Sequence, residues 1–350
     1  MELPHLNDLE VQKEIMDVAN GYWKSRALQY VIENNVAHHL VNGPKSSFTI
    51  AKEIGVNPDF LYRTMRALSC LGIFKEEEDY GVFSQNRKSY FLTQDGVNGF
   101  AHISNSIYYQ AWGSLGESIK HGEARGLQSI GYDGLWDIDK RNPEFHEIFM
   151  NAMSNFTNQL MPYLLKETDF SCFDIVCDLG GSHGLFVLNI LKQFPTVKKG
   201  INFDLPLVIS QNKQLLTESR ESEFENNVLS RFQEEPGNFF QQVPEADCFI
   251  MKMIFHDWKD KESIQILKSI SKKMKPTSRI MIFDSVINVK NEPNYHVWLD
   301  LHMMHIANGR ERSTSEWENI VEKAGLKIES LSIFSEKYTR TNGRIVLRTI

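Results

Sequence analysis

The sequence predicts an α/β protein: a Rossmann-like sheet in the C-terminal half, preceded by a mainly α-helical domain of winged-helix type. Three observations carry this. From about residue 170, strand-length apolar segments at 174–179, 200–204, 248–254 and 279–287 alternate with helix-length segments at 184–194, 206–217, 261–274 and 313–324. Such alternation is the mark of a parallel sheet covered on both faces. Cys248–Phe255 is apolar apart from Lys252, as a strand buried on both faces requires. The first hundred residues lack this alternation, and 350 residues suffice for two domains.

Taken in order, residues 10–40 read as helices. Tyr22, Trp23, Ala27, Leu28, Val31, Ile32, Val36, Ala37 and Leu40 recur at three-to-four spacing. Residues 48–74 read as a helix-turn-helix, with Asn57 capping the second helix, Pro58 at its first position and Gly72 as its stop. Strand-forming residues then flank an acidic tip, Glu76–Asp79, and the pattern closes at Tyr90-Phe91-Leu92 as in a winged helix. That pattern raises DNA binding, but charge opposes it. Residues 1–100 carry 10 Lys+Arg against 13 Asp+Glu, a net of −3, whereas duplex binding rests on basic groups neutralising phosphate. A helical dimerisation domain over 1–105 is the expectation.

Residues 106–167 read as a helical connector. Asn142-Pro143 opens a helix whose stripe of Phe145, Phe149, Ala152, Met153 and Phe156 serves either as core or as the wall of an apolar ligand site. The catalytic part is expected over 168–350. Ser313-Thr314-Ser315-Glu316 forms a capping box before its last helix, and 326–334 and 344–350 read as closing strands.

Bulk composition narrows the partners. A net charge of −7 and a pI near 5.9 point away from nucleic acid and anionic membranes. The four cysteines, Cys70, Cys172, Cys177 and Cys248, include no Cys-x-x-Cys pair, and buried reduced thiols are expected. The opening Met1-Glu2-Leu3-Pro4-His5 lacks a basic-then-apolar leader, so the expected location is cytoplasmic.

Chemistry concentrates where strands end. Asp178-Leu179-Gly180-Gly181-Ser182-His183-Gly184 leads from the first strand into a helix, a turn that lets backbone approach a nucleoside closely. The dinucleotide fingerprint fails, because Ser182 and Leu185 stand where it needs glycine. This counts against a nicotinamide-dependent oxidoreductase. Asp204, 26 residues after Asp178 at the end of the second strand, suits the ribose hydroxyls of an adenosine, or else caps the helix at Pro206. His256 follows the apolar run, and is either a satisfied core histidine or a proton acceptor at the ligand-binding edge.

Asp-Leu-Gly-Gly-x-x-Gly, Asn-Phe-Asp-Leu-Pro, Met-Lys-x-Ile-x-His-Asp-Trp and Gly-Arg-Glu-Arg, in this order, resemble the class I S-adenosylmethionine-dependent O-methyltransferases of small molecules, of the caffeate, isoflavone and acetylserotonin type. The resemblance covers nearly the whole chain and implies a homodimer formed through the N-terminal part. It implies His256 as general base, oriented by Asp284 and Glu311. Gly180, Asp204, Asn238, Phe239 and Lys252 match cofactor contacts, and Met153, Phe156, Met303 and Ile306 match the acceptor pocket. Asn238 departs from the usual Asp, and Ser182-His183 from the usual Gly followed by Thr or Ser. The implied acceptor is a phenolic small molecule. No metal is expected: His296, His302 and His305 lie close in sequence without convincing ligand spacing, and His302 and His305 suit a pocket wall better.

Overall fold

In a computed structural model, the chain is described over residues 8–93, 107–215, 220, 222–334 and 341–350. It forms two compact units, Met1–Gln110 with Glu144–Asn155, and Ala111–Pro143 with Phe156–Ile350. The expected boundary at 105/106 lies outside the described residues, and the segment expected as a connector is divided between the two units. Met153 groups with the first and Phe156 with the second.

The N-terminal unit packs around Ile50, Leu61, Met65, Phe74 and Phe83. Helices Ser47–Ile54 and Pro58–Ser69 follow β1 (Lys45–Ser46), and β2 (Lys75–Glu76) and β3 (Val82–Ser84) come after them. The strands form an antiparallel sheet in the order β1-β3-β2. Asn57 accepts a hydrogen bond from the Phe60 N–H and Pro58 opens the helix. Tyr90 and Phe91 do not extend the sheet. They lie in the helix Arg87–Phe91, because Asn86 and Ser89 cap its start reciprocally.

The second unit holds β4 (Ile175–Leu179), β5 (Lys199–Asp204), β6 (Phe232–Pro236), β7 (Cys248–Lys252), β8 (Arg279–Asp284), β9 (Leu326–Ile333) and β10 (Gly343–Thr349), in the order β6-β5-β4-β7-β8-β10-β9. β6 to β8 run parallel, whereas β10 is antiparallel to both β8 and β9. The sheet is therefore mixed at one edge. The apolar strands alternate between two cores. Phe249, Met251, Ile280 and Ile282 pack with Ile266, Ile270, Trp317 and Ile320 on one face. Cys248, Ile250, Met281 and Phe283 pack with Leu164, Phe186 and Leu191 on the other. Both faces are buried, which is why these strands read as continuous apolar runs. β6, Phe-Gln-Glu-Glu-Pro, escapes such a reading: among the described residues it pairs only with β5, and it carries the charges typical of an edge.

The thiols are all free, but only Cys177 and Cys248, on β4 and β7, are buried; Cys70 and Cys172 are exposed. The expectation of burial fails for these two because Cys70 ends an amphipathic helix on its solvent side and Cys172 precedes β4 in a turn. Among the described residues, no helix is long and apolar enough to cross a membrane.

Candidate active site

From β4 the chain steps outward to β5 and β6, then returns to the other side of β4 as β7 and β8. The carboxyl ends of β4 and β7 thus flank the switch point where open α/β sheets take their ligands. Gly180, Asp204, Lys252 and Asp284 all stand at this edge, because their strands are parallel and each ends there.

β7 stops at Lys252, earlier than the apolar run suggests. Met253 adopts a left-handed backbone (φ 55°) and the chain turns into a 3-10 segment, Phe255–Asp257. His256 sits in this turn and is buried. Its Nδ1 lies 2.8 Å from Glu311 Oε1 and 3.6 Å from Asp284 Oδ1. Its Nε2 has Asp257 Oδ1 at 3.8 Å, outside hydrogen-bond range. The structure thus brings together the three residues expected to form the acid–base set. Asp284 is itself held, accepting from the backbone N–H of Phe255 (3.1 Å) and of Ser285 (3.2 Å). Glu311 donates its backbone N–H to Asp300 Oδ1 at 2.8 Å, and its buried Oε2 has no partner among the described residues.

Electrostatics follow from this crowding. Burial opposes a charge on His256, but the carboxylates of Glu311, Asp284 and Asp257 outweigh it and lift the pKa to about 10. Burial likewise pushes Asp284 up to about 7 and Asp257 up to about 6, with His256 pulling both back. The same three groups, His256, Asp284 and Glu311, offer ligand atoms within 4.8 Å of one another, a set that a divalent ion can also use.

On the other side of the switch point, the loop after β4 is fastened from beneath. The Ser182 N–H donates to Asp204 Oδ2 (2.9 Å), and the Ser182 carbonyl accepts from Asn202 (2.9 Å) and Asn212 (2.7 Å). Arg220 donates to the His183 carbonyl at 2.6 Å and pairs with Glu234 at 2.9 Å. Gly181 has no room for a side chain: a Cβ would lie 2.3 Å from Asn202 Oδ1. Burial raises both acids here. Asp178 reaches about 7, held down by nearby Lys252, and Asp204 moves the same way against two backbone hydrogen bonds. Phe239 stands edge-on to Trp258 (6.4 Å between ring centres), and its ring edge comes within 3.8 Å of where a Gly180 side chain would begin. The Asn238 side-chain oxygen accepts from the Phe240 N–H at 2.9 Å, so it shapes its own turn.

Met303 and Ile306 are buried on the helix Tyr295–Ile306, whose end leads directly to Gly309–Arg312. His305 is a satisfied core histidine rather than a pocket wall. Its Nε2–H donates to the Ala111 carbonyl (2.9 Å), leaving Nδ1 to accept from the Ser118 hydroxyl (2.7 Å). His302 stacks on Trp112 and accepts its indole N–H at 3.2 Å. Asp257, Asp300 and Arg312 also belong to the site's surroundings without having been expected there. Asp257 adjoins the histidine and Arg312 follows Glu311 in Gly-Arg-Glu-Arg, so both were legible by position; Asp300 acts across a fold of the chain that no local pattern announces.

Residues 112–327 match the O-methyltransferase domain, and residues 16–95 match the O-methyltransferase dimerisation domain. O-methyltransferase 9 of Dictyostelium discoideum is 33% identical over 321 residues, covering 90% of this chain and 87% of that protein. Des-methyl DIF-1 methyltransferase A of the same organism is 34% identical over 338 residues, covering 94% and 92%. The structure of the mitomycin 7-O-methyltransferase MmcR superposes with a TM-score of 0.87 at 26% identity, covering 98% of each chain. By the match over residues 112–327, by its relatives' sequences and by fold, the chain belongs to the O-methyltransferase family.

Proposed function

We propose that this protein transfers the methyl group of S-adenosylmethionine to a hydroxyl of an apolar phenolic small molecule, with His256 as general base. The observation that carries the reading is the buried His256 at the switch point, its Nδ1 held by Glu311 at 2.8 Å while Nε2 has no hydrogen bond to an acid. With Nδ1–H donated to a carboxylate, the lone pair of Nε2 is the one that faces an incoming proton.

The residues present fit the methyl donor. Asp178, buried, and Asp204, half-buried, stand with Lys252 at the carboxyl edge of the sheet, and the edge of the Phe239 ring lies beside Gly180. Asp204 suits the ribose hydroxyls, Phe239 the adenine face, Gly180 the close approach of backbone, and the Asn238 amide oxygen the adenine amino group. When bound, S-adenosylmethionine supplies a sulfonium-activated methyl group and a positive charge that draws the His256 pKa back towards neutrality.

The difficulty lies in the nucleophile. A phenol with pKa near ~10 is roughly three units from ionised at neutral pH, about 4 kcal/mol. A positioned histidine contributes about 10²–10⁴-fold, comparable with that deficit. Asp284 and Glu311 fix the ring and stabilise the imidazolium that forms. Phe156, Met303 and Ile306 are proposed acceptor contacts, and their apolar character selects an alkylated or fused aromatic ring over a polar one. No metal takes part in the scheme. The division of labour follows the sequence reading: dimerisation over 1–105, connection over 106–167, catalysis over 168–350. The free thiols suit a reducing compartment, and the cytosol is the one we propose.

The test is His256→Ala, assayed in chelator-containing buffer. Turnover of a phenolic acceptor is expected to fall by about 10²–10⁴-fold while S-adenosylmethionine still binds by calorimetry. Wild-type turnover that needs an added metal, or a variant that keeps its rate, contradicts the reading.

A further inference from the structure

The guanidinium of Arg312 is wholly enclosed, with no accessible side-chain surface. It donates to the Phe255 carbonyl (3.0 Å), the Trp258 carbonyl (2.8 Å), Asp260 Oδ1 (2.9 and 3.0 Å) and Ser263 Oγ (3.1 Å). Its Cζ lies over the Trp317 ring, 5.5 Å from the ring centre. Phe255 and Trp258 bracket His256-Asp257, so one rigid fork grips the turn on both sides of the imidazole. Meanwhile Glu311, the preceding residue, holds the ring through Nδ1. The Arg312 carbonyl accepts from the Ile287 N–H at 3.0 Å, fastening the same residue to the extension of β8, whose last residue is Asp284.

We infer that Arg312 is a positioning residue for the proton transfer: it sets where the His256 ring stands relative to both Asp284 and the acceptor. An apolar side chain of the same volume would leave the Phe255 and Trp258 carbonyls without this donor, whereas the guanidinium ties both to Asp260 in one fork. What the guanidinium adds is geometric. Two backbone carbonyls 3 residues apart are held by one fork, and the Arg312 carbonyl ties the same residue to the extension of β8. Lysine cannot replace it, because a single ammonium does not span both carbonyls and Asp260.

This inference rests on His256 as the base, so the two are tested side by side. Arg312→Lys is compared with wild type and with His256→Ala at equal folded fraction. A displacement of order 1 Å at the ring is expected to lower kcat about 10²-fold, with donor affinity by calorimetry and acceptor KM within about threefold, and to move the pH dependence of kcat. Arg312→Ala leaves a guanidinium-shaped gap, and millimolar guanidinium is expected to restore part of its kcat where equal sodium chloride does not. If His256→Ala keeps its turnover, the base assignment fails. If His256→Ala is inactive but Arg312→Lys keeps its kcat and pH profile, or if the loss only follows the melting temperature and guanidinium restores nothing, the positioning role is overturned. Should Arg312→Ala not fold, Arg312→Lys alone decides by its kcat and pH profile.

Discussion

His256 shows how far an environment can move one side chain. Three acids lift its pKa to about 10, so the resting ring carries a proton at neutral pH. Proton acceptance needs the neutral ring, so kcat/KM should rise with pH through the neutral and alkaline range. Glu311→Gln removes a close carboxylate and should move that rise to lower pH while lowering the plateau about 10²-fold, as loss of orientation typically does. Stability follows the same linkage. The folded pKa of His256 exceeds its unfolded value of about 6.5, so its ion pairing is complete below that pH and is withdrawn as pH rises through about 10. Asp284, raised from 3.8 to about 7, also holds its proton more tightly when folded and acts in the same direction. The melting temperature should therefore fall as pH rises from slightly acidic to alkaline, and fall less steeply in Glu311→Gln.

At the scale of elements, the site is made by two short connections lying against each other. The turn after β7 presents His256, and the Gly309–Arg312 connection lies on its backbone, with the Arg310 N–H bonded to the His256 carbonyl at 2.9 Å. A Cβ on Gly309 would fall 1.9 Å from that carbonyl oxygen, a contact that only movement of one connection relieves. Gly309→Ala should destabilise the fold by about 1–3 kcal/mol and cut turnover more deeply than the lost folded fraction accounts for. Thermal melts and kcat on the same preparation separate the two effects. The helix after this connection needs no such help. Its capping box, Ser313 with Glu316, was legible in the sequence and is formed as written.

For the molecule as a whole, the match of residues 16–95 to a dimerisation domain predicts a homodimer. Leu9, Ile15, Val18, Tyr22 and Trp23 are exposed on the helices Leu9–Ala19 and Gly21–Glu33 of the single chain, apolar surface that a second copy would bury. Sedimentation at micromolar concentration should return twice the 40.5 kDa chain mass; a monomer there contradicts it.

The sequence by itself determined the strand–helix alternation, the double-faced burial of β4, β7 and β8, the helix caps, and the order of His256, Asp284 and Glu311 along the chain. These are local: periodicity, cap chemistry and strand ends depend on neighbours within a few residues. Tertiary structure alone decided that β9 and β10 close the sheet antiparallel, that His305 is spent on Ser118 and Ala111, and that Arg312 grips the turn at Phe255 and Trp258. The pairing partners in each case are at least 50 residues apart or belong to separate elements, and only the packing of the sheet and its helices brings them within bonding distance.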